Sequence, residues 1–380
     1  VTGTARHHGP PPGPGAVTDR LWDAVIAGDE YAAADAVTTA LDRGAGAEAV
    51  LLEIIAPLQA RVGREWAANR LTVAQEHTAT AINERTIAAL AHHPAVRKAL
   101  ERREKPRGRV AVACIDGEWH ALPARILAEV LRLRGWQVDY LGAQVPTPHL
   151  IAHVHRTNPA VVALSSSIAT RLPSAHAAII ACQATGTPVL VGGAAFGPDG
   201  RYAALLGADG WAPDARSAAD RLAEGPLRRP PALHQVTDDL PHLADQEYAQ
   251  ISRTARGLVR SVLAELPARF PAMADYTDRQ RRHTAEDIAH IVDFLGTALY
   301  VDDPDLFTGF IGWTAGILTA RGVPAESLLP GLELLAEQLV DYPRAADLLS
   351  RACDTLRQTV PDAAGGAPGA VSDPVEGRDA

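Results

Sequence analysis

The apolar residues of this chain change period twice, and those changes constrain its fold more than any other feature. From about Ala16 to Pro94 they recur at spacings of three and four, as in TDRLWDAVIAGDEYAAADAVTTALDRG, GAEAVLLEIIAPLQARVGREWAANRL and TVAQEHTATAINERTIAALAHHP. That spacing lines one face of a helix, and about four helices of this size make a small bundle. From Val110 the pattern shortens into β-rich runs, VAVACIDG, QVDYLG, AVVALSSS and PVLVGG, each followed by a helical stretch. Strands alternating with helices of about 10–15 residues build a mostly parallel sheet covered on both faces. From Leu243 to about Val360 the helical period returns, in HTAEDIAHIVDFLGTALY, PDLFTGFIGWTAGILTARG and later segments, with no alternation long enough for a sheet.

Breaker-rich seams separate these regions, EKPRGR at 105–110 and EGPLRRPPALHQVTDDLP at about 224–241. The expected organisation is therefore a disordered lead at 1–15, a helical bundle at 16–104 and an α/β domain at 105–225. A linker at 226–241, an all-α domain at 242–360 and a disordered tail at 361–380 complete it.

Composition removes several classes of function. With 47% apolar and 21% charged residues the chain is ordinary globular material. It lacks the roughly 18-residue apolar run of a membrane span, and its first residues hold no apolar signal core, so a cytoplasmic protein with no membrane partner is expected. Cys114, Cys182 and Cys353 are widely separated and odd in number, which fits neither a disulfide framework nor a CxxC metal knuckle. Lys and Arg total 36 against 45 Asp and Glu, a formal charge of -9, from which no direct DNA binding is expected. There is no G-x-G-x-x-G after the first strand, no G-K-[ST] and no G-x-S-x-G elbow.

In a parallel sheet, ligands lie beyond the carboxyl ends of the strands, so the residues there are the candidates. Glu118, Trp119 and His120 follow the first strand. A histidine in that loop can reach a ligand over the sheet edge, and an adjacent acid can fix its tautomer; the plainer reading is a surface loop histidine. Ser165, Ser166 and Ser167 end the third strand and can donate to a ligand or cap the next helix. Gly192 and Gly193 end the fourth, where paired glycines admit a close backbone approach or simply make a tight turn. In the bundle, Trp66 and His77 would share a face if one helix ran unbroken through both, with Glu76 beside His77. The plainer reading there is a packing tryptophan and a solvent-facing Glu–His pair.

Bundle followed by α/β domain, with these residues, resembles the cobalamin-binding module of the B12-dependent photoreceptors and of corrinoid methyl carriers. The usual corrinoid signature is D-x-H-x-x-G, then S-x-L or S-x-T, then G-G; here it reads Glu118-Trp119-His120-Ala121-Leu122-Pro123, then Ser165-Ser166-Ser167, then Gly192-Gly193. The photoreceptor pattern W-x9-E-H is intact as Trp66, Glu76 and His77. The resemblance implies that His120 is the lower axial cobalt ligand, with the nucleotide tail threading toward the serine and Gly-Gly loops. It implies that Trp66 and Glu76 pack around an upper 5'-deoxyadenosyl group, so adenosylcobalamin is the expected cofactor. Glu118 for Asp and Pro123 for Gly are departures. Ala67 stands where the best-known members have the histidine that captures cobalt after light, which leaves His77 or water for that place.

With its all-α C-terminal region, the domain order resembles the photocobilins, in which a cobalamin module is joined to a globin-like domain holding a bilin. That resemblance implies biliverdin or a related linear tetrapyrrole as a second chromophore. Asp287 and His290 fall within about 40° of His283 around one helix, a face that could meet pyrrole nitrogens, hold a metal, or be only a polar surface. Tyr276 and Trp313 are candidates to pack the rings, with Tyr300, Phe307 and Phe310. The fold expected is thus multidomain: N-terminal four-helix bundle, Rossmann-like α/β cobalamin-binding domain, all-α globin-like C-terminal domain. The function expected is a non-enzymatic light sensor driven by adenosylcobalamin photolysis, joined by a bilin, homo-oligomeric and signalling to an unknown effector protein or enzyme. A corrinoid carrier for methyl transfer and a non-catalytic regulatory or scaffold protein are the alternatives.

Overall fold

The computed structural model describes residues 14–102, 106–227 and 240–359, in two compact units that divide at Leu240/Pro241. The expected lead at 1–15 lies outside the described residues except for Pro14 and Gly15, which open the first helix; most of the linker and all of the tail region lie outside them too.

The first unit opens with helices. α1 (Pro14–Ile26) and α2 (Glu30–Asp42) are separated by a turn in which Asp29 accepts the N–H groups of Tyr31 and Ala32, satisfying two of the free donors at the start of α2. α3 (Ala47–Ala49) passes through a π-helical stretch, Val50–Ile55, into α4 (Ala56–Ala67). α5 (Val73–His92) starts from a reciprocal capping box between Thr72 and Gln75, and α6 (Pro94–Glu101) follows. The capping box and the residues before it break the helix between Trp66 and His77, so these two sit on α4 and α5 and not on one rod. Leu21, Leu51, Ile55, Leu58, Ile87 and Leu90 are fully buried between the helices, each contributing about 1.5–3 kcal/mol by leaving water.

The α/β part has five strands: β1 (Arg109–Cys114), β2 (Gln137–Gly142), β3 (Val161–Ser165), β4 (Val189–Gly192) and β5 (Gly210–Ala212). Helices α7 (Leu122–Leu133), α8 (Thr147–Thr157), α9 (Leu172–Ala184), α10 (Arg201–Leu205) and α11 (Ala215–Ala223) alternate with them. Every pairing is parallel and the order is β2-β1-β3-β4-β5. The chain therefore reverses its direction of winding at β1/β3, and the crevice beyond that pair is where doubly wound sheets hold ligands. β3 is buried throughout and β1 from Val110 on, which is why both read as continuous apolar runs. The helical layer and the sheet share one hydrophobic core. Across it, the Arg134 fork grips Glu48 at 2.6 and 3.1 Å and also pairs with Asp220.

The second unit is all helical: α12 (Glu247–Arg269), α13 (Asp278–Val301), α14 (Pro304–Ala320), α15 (Leu329–Gln338) and α16 (Pro343–Thr359). Its own core includes Val262, Leu295, Leu299, Phe307, Ile311, Leu335 and Leu349. The buried Glu247 carboxylate accepts the N–H groups of Arg344 and Ala345 and so caps α16 from another helix. Nothing in this packing identifies the unit as globin-like. Among the described residues no helix is long and apolar enough to cross a membrane.

Candidate functional site

The turn after β1 is built around a buried carboxylate. Gly117 has φ +76, a conformation that favours glycine, and turns the chain so that Glu118 points inward, fully buried. Glu118 Oε1 accepts the backbone N–H of His120 at 2.9 Å and lies 2.6 Å from His120 Nδ1. Its other oxygen accepts from Ser166 Oγ at 3.1 Å, the Ser167 N–H at 2.7 Å and the Ile168 N–H at 3.1 Å. Burial on its own pushes this carboxyl up, but the hydrogen bonds from His120 and Ser167 outweigh it and bring the pKa down to about 2. An ionised partner at Nδ1 favours a proton on that nitrogen and leaves Nε2 as the ring nitrogen turned away from the carboxylate. The His120 side chain is 36% exposed.

The loops after β3 and β4 close against this turn. Gly193, at φ +102, runs so near Ser166 that a Cβ would lie 2.2 Å from the Ser166 carbonyl oxygen. A Cβ on Gly192 would lie 3.0 Å from the Ala212 carbonyl oxygen. Beside them an open cleft runs along the carboxyl ends of β3, β4 and β5, lined by Pro123, Leu127, Ser165, Gly192, Gly193 and Ala212 among others. Ser165 thus borders the cleft, whereas Ser167 serves Glu118 through its amide. Ser166 completes the carboxylate's shell with its hydroxyl, a partnership with Glu118 that sequence reasoning did not foresee. A hydroxyl facing a buried acid from another strand has no signature in local spacing.

The bundle supplies a second Glu–His pair. His77 Nδ1 lies 2.6 Å from Glu76 Oε2, and Glu76 Oε1 accepts from Thr80 Oγ1 at 2.9 Å. Gln59 Nε2 donates to Thr80 Oγ1 and Asn83 Nδ2 donates to Gln59 Oε1, each at 2.7 Å, carrying the chain into the bundle to the fully buried Asn83. Trp66 packs half-buried against the hydrophobic core. The pairs meet through Trp119: its indole lies 4.3 Å from the His120 ring and 5.6 Å from the His77 ring, centroid to centroid. Residues 43 positions apart in sequence are brought to one place.

The candidates of the second unit do not assemble in the same way. His283, Asp287 and His290 all lie on α13, with the histidines exposed and Asp287 half-buried. Burial raises the Asp287 carboxyl, opposed by His290 and His283. No group of three or more His, Cys, Asp or Glu able to hold a metal occurs among the described residues. Tyr276 packs on Phe270, Tyr300 on Tyr248, and Phe307 is fully buried in the core. Trp313 is 53% exposed, beside a stacked Phe294–Phe310 pair 3.7 Å apart.

Two family models match the chain, both described as a B12 binding domain, one over residues 17–91 and the other over 108–220. Residues 108–220 are a Rossmann-like B12-binding domain. The helical region before this B12-binding domain matches the companion model, and cobalamin is the ligand for which both stand. Among curated proteins, the chain is 31% identical to the HTH-type transcriptional repressor CarA of Myxococcus xanthus over 187 residues, 46% of this chain and 57% of that protein. It is 33% identical to the HTH-type transcriptional repressor CarH of the same organism over 151 residues, 38% and 46% of the two chains. The chain thus spans about half the length of the curated relatives it matches. Among solved structures, the monomethylamine corrinoid protein of Methanosarcina barkeri is 18% identical, with TM-score 0.48, covering 55% of this chain and 98% of that one.

These findings correct two expectations. The photocobilin reading, with its globin-like bilin-binding domain, is overturned: the relatives found are HTH-type repressors, and nothing supports biliverdin or another tetrapyrrole of that kind. The expectation of no direct DNA binding falls with it, because a net charge of -9 averages over the whole chain and does not exclude a basic recognition element. Relatives that are repressors agree with the expectation of a non-enzymatic protein.

Proposed function

We propose that this chain is a cobalamin-dependent, light-responsive regulatory protein acting on transcription, in which His120 would hold the cobalt. The observation that carries the reading is the Glu118–His120 pair at the β1/β3 switch point, in which the carboxylate holds Nδ1 and fixes the ring so that Nε2 is the nitrogen turned away from it. Gly193 and Gly192 let the loops after β3 and β4 pack closely beside the same cleft, which Ser165 borders. When bound, adenosylcobalamin supplies a cobalt–carbon bond that visible light breaks.

The chain's own residues hold the site around that chemistry. Glu118 holds Nδ1 and fixes the ring; Ser166, Ser167 and Ile168 keep Glu118 ionised. The cleft bordered by Ser165, Gly192 and Gly193 would hold the cofactor's nucleotide tail. Trp66, Glu76 and His77 would hold the cofactor from the bundle side, so that the bundle's packing would respond to what is bound there. The output is repression of transcription, as the names of CarA and CarH suggest, and DNA is the partner to test.

The experiment is an absorption spectrum of the chain loaded with adenosylcobalamin, before and after green light, with duplex-DNA binding measured in both states. A light-dependent spectrum with a change in DNA affinity is expected. A spectrum unchanged by light removes the sensor reading, and a chain that retains no cobalamin removes the whole of it. DNA affinity that is the same in both states removes the transcriptional output.

A further inference from the structure

Trp119 belongs to neither Glu–His pair, yet it touches both histidines. Its ring is tilted 32° against His120 and meets His77 edge-on at 66°. The two contacts limit the imidazole centroids to a separation of about 10 Å, and the indole, 49% exposed, fills part of that gap. A space of that depth holding an indole has no room for a corrin that carries a nucleoside on its upper face. Two aromatic contacts on a half-exposed side chain are also a weak hold, which a ligand of larger buried area displaces. Gly117, at φ +76 just before Glu118, starts the turn that carries Trp119, and its neighbours Glu118 and His120 are pinned by the carboxylate shell. The freedom to move therefore lies in the Trp119 side chain itself.

We propose that Trp119 is a displaceable plug that sets the rate and upper-group selectivity of corrinoid entry. Its indole bridges the bundle and the β1 loop, and a corrinoid entering between His77 and His120 would have to swing it out. The proposal rests on the cobalamin reading above.

The test is stopped-flow absorbance on the ligand-free full chain mixed with hydroxocobalamin or with adenosylcobalamin. For wild type, adenosylcobalamin is expected to enter more slowly than hydroxocobalamin. Trp119→Ala is expected to take up adenosylcobalamin about 10-fold faster, the factor by which a closed population of ten to one slows binding, and to lose most of the discrimination. Trp119→Phe should fall between. Equal rates for wild type and Trp119→Ala overturn the plug while leaving cobalamin binding intact. Absence of bound cobalamin in both proteins overturns the cobalamin reading and the plug together. Should the alanine variant misfold, the indole N–H resonance of Trp119, assigned from Trp119→Phe, is expected to shift when hydroxocobalamin is added to wild type; an unmoved resonance overturns the proposal.

Discussion

Glu118 Oε1 lies 2.6 Å from His120 Nδ1 and 2.9 Å from the backbone nitrogen of the same residue, so one oxygen sets both the rotation and the tautomer of the imidazole. Such a carboxylate is fully buried and surrounded by donors alone. Glu118→Gln places an amide N–H against one of those donors and removes the charge that strengthens the rest. A loss of about 2–4 kcal/mol is expected, read as a lower urea midpoint of the ligand-free chain. An unchanged midpoint would show that the carboxylate shell holds nothing in place.

His120→Ala separates coordination from folding. The ring is partly exposed, but removing it also takes a charge-assisted hydrogen bond from the buried Glu118 carboxylate, so a loss of about 1–3 kcal/mol is expected in the ligand-free chain. The cobalt(II) form of wild type should show the hyperfine splitting of one axial nitrogen from the protein, and the variant should lose it. Retention of the splitting would assign the axial nitrogen elsewhere.

Gly193→Ala tests whether the floor of the cleft requires bare backbone. A methyl group would meet the Ser166 carbonyl oxygen at 2.2 Å, at a φ of +102 that L residues rarely adopt. Strain and clash together should cost about 3 kcal/mol or more, measured by chemical denaturation. Gly192→Ala is the contrast: no positive φ is involved and the nearest atom is at 3.0 Å, so its loss should be clearly smaller. Equal losses would mean that the two glycines are not distinguished by this approach.

The parts of this architecture that were legible in sequence are those written in local period. β1 and β3 read as strands because they are buried on both faces, and the pattern of β1 alone places Glu118-Trp119-His120 at a strand end. Relationships that close through space were not legible. Ser166 faces Glu118 from a different strand, Asn83 reaches Glu76 only through Gln59 on another helix, and Trp66 and His77 are parted by a capping box whose break is easily read as continuing helix. The aromatic residues of the second unit misled for a related reason. Composition says that they are few, but not that Phe307 is spent on the core and Tyr276 on Phe270.

Asp287 gives a prediction in the second unit that is independent of any ligand. Burial raises its carboxyl above the ordinary 3.8, while His290 and His283 pull it back and Glu286 pushes it further up. A raised pKa means that the folded state binds the proton more tightly than the unfolded chain does. The stability this contributes is complete below about pH 3.8 and is lost as pH rises through the folded-state value. At neutral pH the ionised carboxylate is therefore a net cost to the fold. Asp287→Asn keeps the size of the side chain without the charge. It should melt at a higher temperature than wild type at pH 7, with the difference shrinking as the pH is lowered toward 4, followed by far-UV circular dichroism. A variant less stable than wild type at pH 7 would mean that attraction to His283 and His290 outweighs desolvation, reversing the sign argued here.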